Sequence, residues 1–324
     1  VVKGNALPFL WARGLLATAA TWKALLLALA LNAALALVVT APLASRLHDL
    51  LDVRPAADSL AKGWDVVLGA HLLRAERGLL GDRARLDALE QGTLPLAEVP
   101  RLSGPLAGLL AAGLLHAALS ALLAGGFAGR FAAERERGSL AAFLADVVRL
   151  GLPSLVLGLL GLAAILGAFL LFVELPREAT LSPDLRWDWE RTGLSLMRLF
   201  AFLGAAGAVR AVVAQSRAAL GLAKTANPFL ALASGLGFVL GRPVKALLLE
   251  AAFGVTALLP LSLWLFFAPS WSGGDGRLLA LLVSGQQAVV LLRLLARTAH
   301  IGAATTWMRG AREAARPAPA KIET

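Results

Sequence analysis

Residues 210–245 read RAVVAQSRAALGLAKTANPFLALASGLGFVLGRPVK, with Arg210, Arg217, Lys224, Arg242 and Lys245 and no carboxylate. Long apolar runs lie on either side. A short, purely basic connection between two apolar runs marks the cytoplasmic side of a polytopic membrane protein. The orientation expected for every other segment follows from this one.

Composition points the same way. The 324 residues are 58% hydrophobic, with mean hydropathy +0.73. A soluble domain is about 45–50% apolar. Several runs approach the ~20 residues that cross a hydrocarbon core of about 30 Å as helix. Backbone groups in lipid must be satisfied within the segment, so these runs are expected to be helical, and their wealth of Ala and Leu favours helix. The fold class expected is all-α, a polytopic membrane bundle of six transmembrane helices with both termini cytoplasmic. The formal charge is +10, but the cations sit at helix ends rather than in one patch. There they would meet the anionic lipid headgroups of the cytoplasmic face, and no nucleic-acid partner is expected. The chain has no Cys, which excludes disulfides and thiolate chemistry. Its four His (48, 71, 116 and 300) include no pair at helical ligand spacing.

Taken in order, residues 1–23 carry Lys3, Arg13 and Lys23 without an acid, as a cytoplasmic N-terminus should. The first span is expected at 24–44. A cleaved signal peptide competes for that run, but Pro42 follows directly on Val39-Thr40-Ala41 and disfavours cleavage. Residues 45–103 hold eight Lys/Arg and nine Asp/Glu, a mixed segment expected as an extracytoplasmic helical cap. The remaining five spans are expected near 104–128, 153–174, 193–214, 243–268 and 277–297, within a bundle covering 104–297. Inner-surface helices are expected near 139–150 and 227–241, the first from the helical spacing of Leu140, Phe143, Leu144, Val147 and Val148. Residues 176–192, with Trp187 and Trp189, suit an outer loop. Residues 298–324 form the expected cytoplasmic basic tail.

Two blocks share a pattern. Arg130 through Pro153 to Pro176 and Arg210 through Pro243 to Pro269 each begin on an Arg. Each then passes an apolar inner segment and places a basic residue shortly before a Pro that opens a span. The intervals differ, 23 residues against 33. An internal hairpin repeat about an axis along the membrane normal is the reading they suggest.

Ser59…Gly63-Trp64-Asp65 and Phe238-Val239-Leu240-Gly241-Arg242-Pro243, with the short basic N-terminus, resemble a loose group of uncharacterised bacterial six-helix membrane proteins. That resemblance implies a multi-pass protein of the bacterial inner (cytoplasmic) membrane. It contributes no catalytic residue.

The candidate intramembrane polar site consists of Glu250, Arg210, Arg293, His116 and Gln286. Ionisable groups within spans are costly unless paired or hydrated. Glu250 lies seven residues past Pro243, roughly 10 Å along the helix, and Arg210 and Arg293 are expected at similar depth. A structural ion pair competes here with a proton or cation relay. His116 is expected to be a hydrogen-bonded packing residue rather than a proton carrier. Gln286, Gln287 and Asn32 would bond across helices for about 1 kcal/mol each. Gly104-x-x-x-Gly108 and Gly125-x-x-x-Gly129 permit close helix approach, though chance produces such spacings in a chain this rich in Gly and Ala. Ser234 has no His placed to activate it, and the glycines at 235, 237 and 241 have neither the spacing nor the Lys-Ser/Thr of a phosphate loop. No catalytic residue, cofactor or metal ligand is expected, and no enzyme activity. The function expected first is a non-enzymatic scaffold or accessory subunit with a membrane-protein partner. The alternative is a permease for a small or lipid-like solute.

Overall fold

The computed structural model describes residues 6–35, 104–133, 138–176, 188–223, 226–267 and 276–315, with the helical backbone alone for 104–112, 188–191, 265–267 and 276–283. These residues are helical, and no strand occurs among them. Helix α1 is Leu7–Ala19, α2 Trp22–Leu35, α3 Gly104–Ala132 and α4 Leu140–Phe169, which continues as a π-helical turn, Leu170–Glu174. Then come α5 Asp188–Ala223, α6 Pro228–Leu240, α7 Pro243–Phe267 and α8 Gly276–Ala314. Five helices are long and apolar enough to cross a membrane, and six spans result if α1 and α2, bent by 77° at their junction, count as one.

Local chemistry sets several boundaries. The Asn227 side chain accepts from the backbone N–H groups of Phe229 and Leu230 at 2.9 and 3.2 Å, and Pro228 occupies the first helical position of α6. Both features satisfy or remove donors that a helix start leaves orphaned. Ser139 caps α4 through Ala142 N–H at 3.3 Å. At the other end of α3, Arg309 of α8 donates to the carbonyls of Phe131 and Ala132 at 3.0 and 2.8 Å, where the last turn has no partners of its own.

The described residues divide into two compact units, one within Val1–Leu27, Ala118–Leu259 and Leu292–Thr324, the other within Ala28–Ala117 and Pro260–Leu291. The core of the first is built from small residues. Ala211, Ala246, Ala299 and Ala303 gather with Leu10, Phe253 and Trp307, while Ala214, Ala218 and Ala304 gather with Leu157 and Leu220. Between helices in lipid there is little hydrophobic drive, so close van der Waals contact through small side chains has to hold them together. The Gly125-x-x-x-Gly129 spacing is used in this way. A Cβ on Gly125 would overlap the Leu150 carbonyl, and one on Gly129 would overlap the Asp146 carboxylate. The outward face of α4 presents Val148, Leu152, Leu159 and Leu166, a surface suited to lipid. In the second unit, Gly285 receives the ring of Trp264.

Three expectations change. The stretch at 139–150 is the first part of α4, which runs unbroken through Pro153, and not a separate helix. Residues 210–223 belong to α5 and not to a connection, and Gln215, Ser216 and Arg217 are buried there. Residues 298–314 continue α8 as buried helix, with His300, Thr305, Trp307 and Met308 inside, rather than forming a tail. Within 1–23, α1 packs closely on α8, Gly14 lying at the Ala299 carbonyl, and Trp11 Nε1 donates to Thr256 Oγ1 of α7 at 3.2 Å. The expected cap at 45–103, with Ser59 to Asp65, lies outside the described residues, as does most of the outer loop at 176–192. The two repeat blocks also differ: α4 continues through its Pro, whereas α6 ends at Leu240 before Pro243 opens α7.

Candidate functional site

Charged side chains meet at two places in the first unit. At the α3/α4 crossing, Arg130 Nε donates to Asp146 Oδ2 at 2.6 Å, and Arg149 Nη2 reaches Oδ1 at 2.9 Å. The close approach permitted by Gly129 brings the carboxylate against α3. Arg130 and Asp146 are buried and Arg149 is half exposed. Each oxygen of the one carboxylate has a cationic donor. The cluster is saturated.

The second place joins α5, α7 and α8. Arg210 Nε lies 2.7 Å from Glu250 Oε1, so the pairing expected from depth is present. Glu250 is buried and Arg210 is more than half exposed. His300 Nδ1 lies 3.3 Å from the other oxygen, Oε2, within ion-pair distance but without hydrogen-bond geometry. Among the described residues, Glu250 Oε2 and Gln215 Oε1 are the buried side-chain oxygens left without a hydrogen-bond partner. The ring of His300 stacks on Phe253 with centroids 5.1 Å apart, which fixes its plane. Helical periodicity explains why these groups converge. Arg210 and Arg217 are two turns apart on one face of α5, and Arg293, Arg297 and His300 follow at intervals of four and three on α8.

Arg217 lies two turns further along α5 than Arg210. Its side chain is buried, its Nε donates to Ser154 Oγ at 3.1 Å, and the Ser154 hydroxyl donates onward to the Ala121 carbonyl at 2.7 Å. Gly158 of α4 makes the room: a Cβ there would stand 3.2 Å from Arg217 Nη2. Among the described residues no carboxylate pairs with Arg217, Arg293 or Arg297. The Glu250 carboxylate is thus met by the Arg210 guanidinium on one oxygen and approached by the His300 imidazole on the other.

Of the expected site residues, Arg210 and Glu250 come together, while Arg293 lies exposed on α8 seven residues before His300. His116 and Gln286 are exposed and belong to the second unit. Arg217, Arg297, His300 and Asp146 were not among the expected residues. The first three carried a legible signal, the shared helical face with Arg210 or Arg293. Asp146 carried only its place among apolar neighbours. Farther along, Arg198 of α5 donates to the carbonyls of Phe172, at 3.3 Å, and Val173, where the π turn loosens the α-helical ladder of α4. Arg242 stacks on Phe238, Phe238 meets Trp307 edge-on at 4.8 Å, and Lys245 lies over Trp307. The Phe238 to Pro243 stretch thus anchors α6 and α7 to α8.

No protein-family model matches the chain, and neither a curated protein nor a solved structure matches it.

Proposed function

We propose that the chain is a permease for a small or lipid-like solute, and that its solute site is the cluster around Arg210, Glu250 and His300. The observation that carries this is the imbalance there. Charges on candidate spans are costly unless paired or hydrated, and a helix bundle serving only as scaffold gains nothing from a buried carboxylate oxygen without a hydrogen-bond partner. A solute or water entering the cluster would supply the missing partners. Six spans with both termini cytoplasmic, placement in a bacterial cytoplasmic membrane, and the two Arg-to-Pro blocks as diverged hairpins belong to the same proposal.

A scaffold or accessory subunit is the second reading. It is favoured by the tight α3/α4 crossing at Gly125 and Gly129, where not even a Cβ could be added without overlap.

The absence of native Cys makes the test clean. Single cysteines replace Glu250 and His300, with Ala226→Cys as an exposed connection control and Leu157→Cys as a fully buried one. A small charged methanethiosulfonate reagent is expected to label 250, 300 and 226 and to spare 157. Labelling at 226 alone would leave a packed bundle and favour the scaffold.

A further inference from the structure

We infer that Glu250 and His300 form a proton-binding pair, in which one proton is held between Oε2 of the buried carboxylate and Nδ1 of the imidazole. The inference rests on the solute-site reading above and names the ion that this site exchanges with water.

An unsatisfied oxygen beside a ring nitrogen carries it. Oε1 of Glu250 is bound to Arg210 at 2.7 Å, whereas Oε2 lies 3.3 Å from His300 Nδ1 and, among the described residues, has no hydrogen-bond partner. An ionised carboxylate only accepts hydrogen bonds, and an imidazole nitrogen without its proton does the same. One added proton turns either group into a donor toward the other. Bringing them to the ~2.9–3.0 Å of a hydrogen bond then takes a small rotation of the carboxylate. The imidazole is the fixed side of the pair, since its ring stacks on Phe253 with centroids 5.1 Å apart. Side-chain exposure is 7% for Glu250 and 10% for His300, against 58% for Arg210. The pair is enclosed, and its guanidinium partner reaches water.

Asp146 is the contrasting case. Both of its oxygens accept from guanidiniums, at 2.6 and 2.9 Å, and neither is left to take a proton. A metal cation is poorly served at Glu250. The carboxylate is already paired with Arg210 and, among the described residues, no third carboxylate, imidazole or thiolate gathers with these two groups. The charged side chains on the elements packed here are Arg210 and Arg217 of α5, Lys245 of α7, Arg293 and Arg297 of α8, and Arg13 of α1, whose Leu10 shares the core with Leu249 and Phe253. Of these, Arg210 touches the carboxylate. Its charge and that of the ionised carboxylate cancel, so loading the proton leaves the three groups in contact with one positive charge. A solute bound there meets a site whose charge depends on the proton, and the two binding events are linked reciprocally. Loading takes the proton from a solvent acid and unloading returns it to solvent, with no other bond made or broken.

The experiment uses the full chain in detergent and records infrared difference spectra from about pH 4 to pH 9, a window that brackets free carboxyl and imidazole groups. Glu250→Gln is the subtraction partner. In the native spectrum minus that of the variant, a change in a carboxyl band and a change in an imidazole ring band are expected together, at one shared midpoint. His300→Asn puts an amide nitrogen where Nδ1 stood, a permanent donor for Oε2 in place of the proton. It is expected to lower the proton affinity of Glu250 at least about tenfold, one pH unit in the midpoint. Arg210→Gln, which withdraws the cation from Oε1, is expected to raise that affinity. Replacing choline by sodium at equal ionic strength is expected to leave the midpoint unmoved. A carboxyl change without an imidazole change, separate midpoints, or no change across the window overturns the inference, and so does a midpoint that falls with sodium. Should His300→Asn not fold, the shared midpoint of the native chain and the upward shift in Arg210→Gln carry the test. Cysteine labelling at 300 separates the two levels. A labelled site without the coupled change overturns the proton pair alone, and a protected site with the coupled change overturns the solute site alone.

Discussion

The Arg130–Asp146–Arg149 cluster and the Arg210–Glu250–His300 cluster are built from the same kinds of group in the same unit, yet they are completed differently. In the first, both carboxylate oxygens accept from a guanidinium, and a glycine at 129 seats the carboxylate against the neighbouring helix. In the second, among the described residues, one carboxylate oxygen has no hydrogen-bond partner. A buried ion pair seldom adds net stability over apolar packing, but breaking one by removing a single partner is expensive. The saturated cluster therefore behaves as structure. The unsaturated one is open to a further partner.

Asp146→Asn should break this contrast most severely. It leaves Arg130 buried opposite a neutral amide, with an expected loss of about 3–5 kcal/mol, read as a lowered unfolding midpoint and reduced yield of folded protein. A loss similar to that of a surface charge would mean that water already reaches Arg130. Gly125→Val comes next. Its side chain meets the Leu150 carbonyl and must push α3 away from α4, for about 1–3 kcal/mol in the same assay. Glu250→Gln sharpens the comparison from the other side. Its partner Arg210 is 58% exposed, so the stability change should stay below about 1 kcal/mol. A loss of several kcal/mol would mean that the pair is shielded from water despite the exposure of Arg210. Smallest of all is Arg149→Gln, which removes a partner that is 47% exposed at i,i+3, for roughly 0.5 kcal/mol or less. The difference between it and Asp146→Asn measures how much of the cluster's stability lies in the Arg130 pair.

The helical class and the candidate spans were legible because hydrocarbon thickness imposes a run length that few other constraints imitate. The start of α6 was also legible, since Asn-Pro at 227–228 is both a cap and a first-turn signal. The Arg210–Glu250 pair could be reached by counting residues from Pro243. Arg217 could not. A cation placed shortly after an apolar run usually marks the lipid–water boundary, and so the whole of 210–245 reads as a connection. It took the neighbouring α4, with Ser154 as acceptor and Gly158 as clearance, to turn that position inward. His300 and Arg297 were hidden in the same way, because helix α8 continues past the point where its hydropathy falls, held by contacts of Ala299, Ala303 and Trp307 that are distant in sequence. Gly125-x-x-x-Gly129 was visible as a spacing. Its use depended on the partner helix.

The most direct test of the central claim, that the second cluster is a hydrated and cationic site, is the labelling rate of His300→Cys by two methanethiosulfonate reagents of similar size, one carrying a sulfonate and one an ammonium. This substitution keeps Glu250 and its partner Arg210. An electropositive site should favour the anionic reagent at least about tenfold. Equal rates, a faster cationic reagent, or complete protection at 300 with normal labelling at 226 would contradict it.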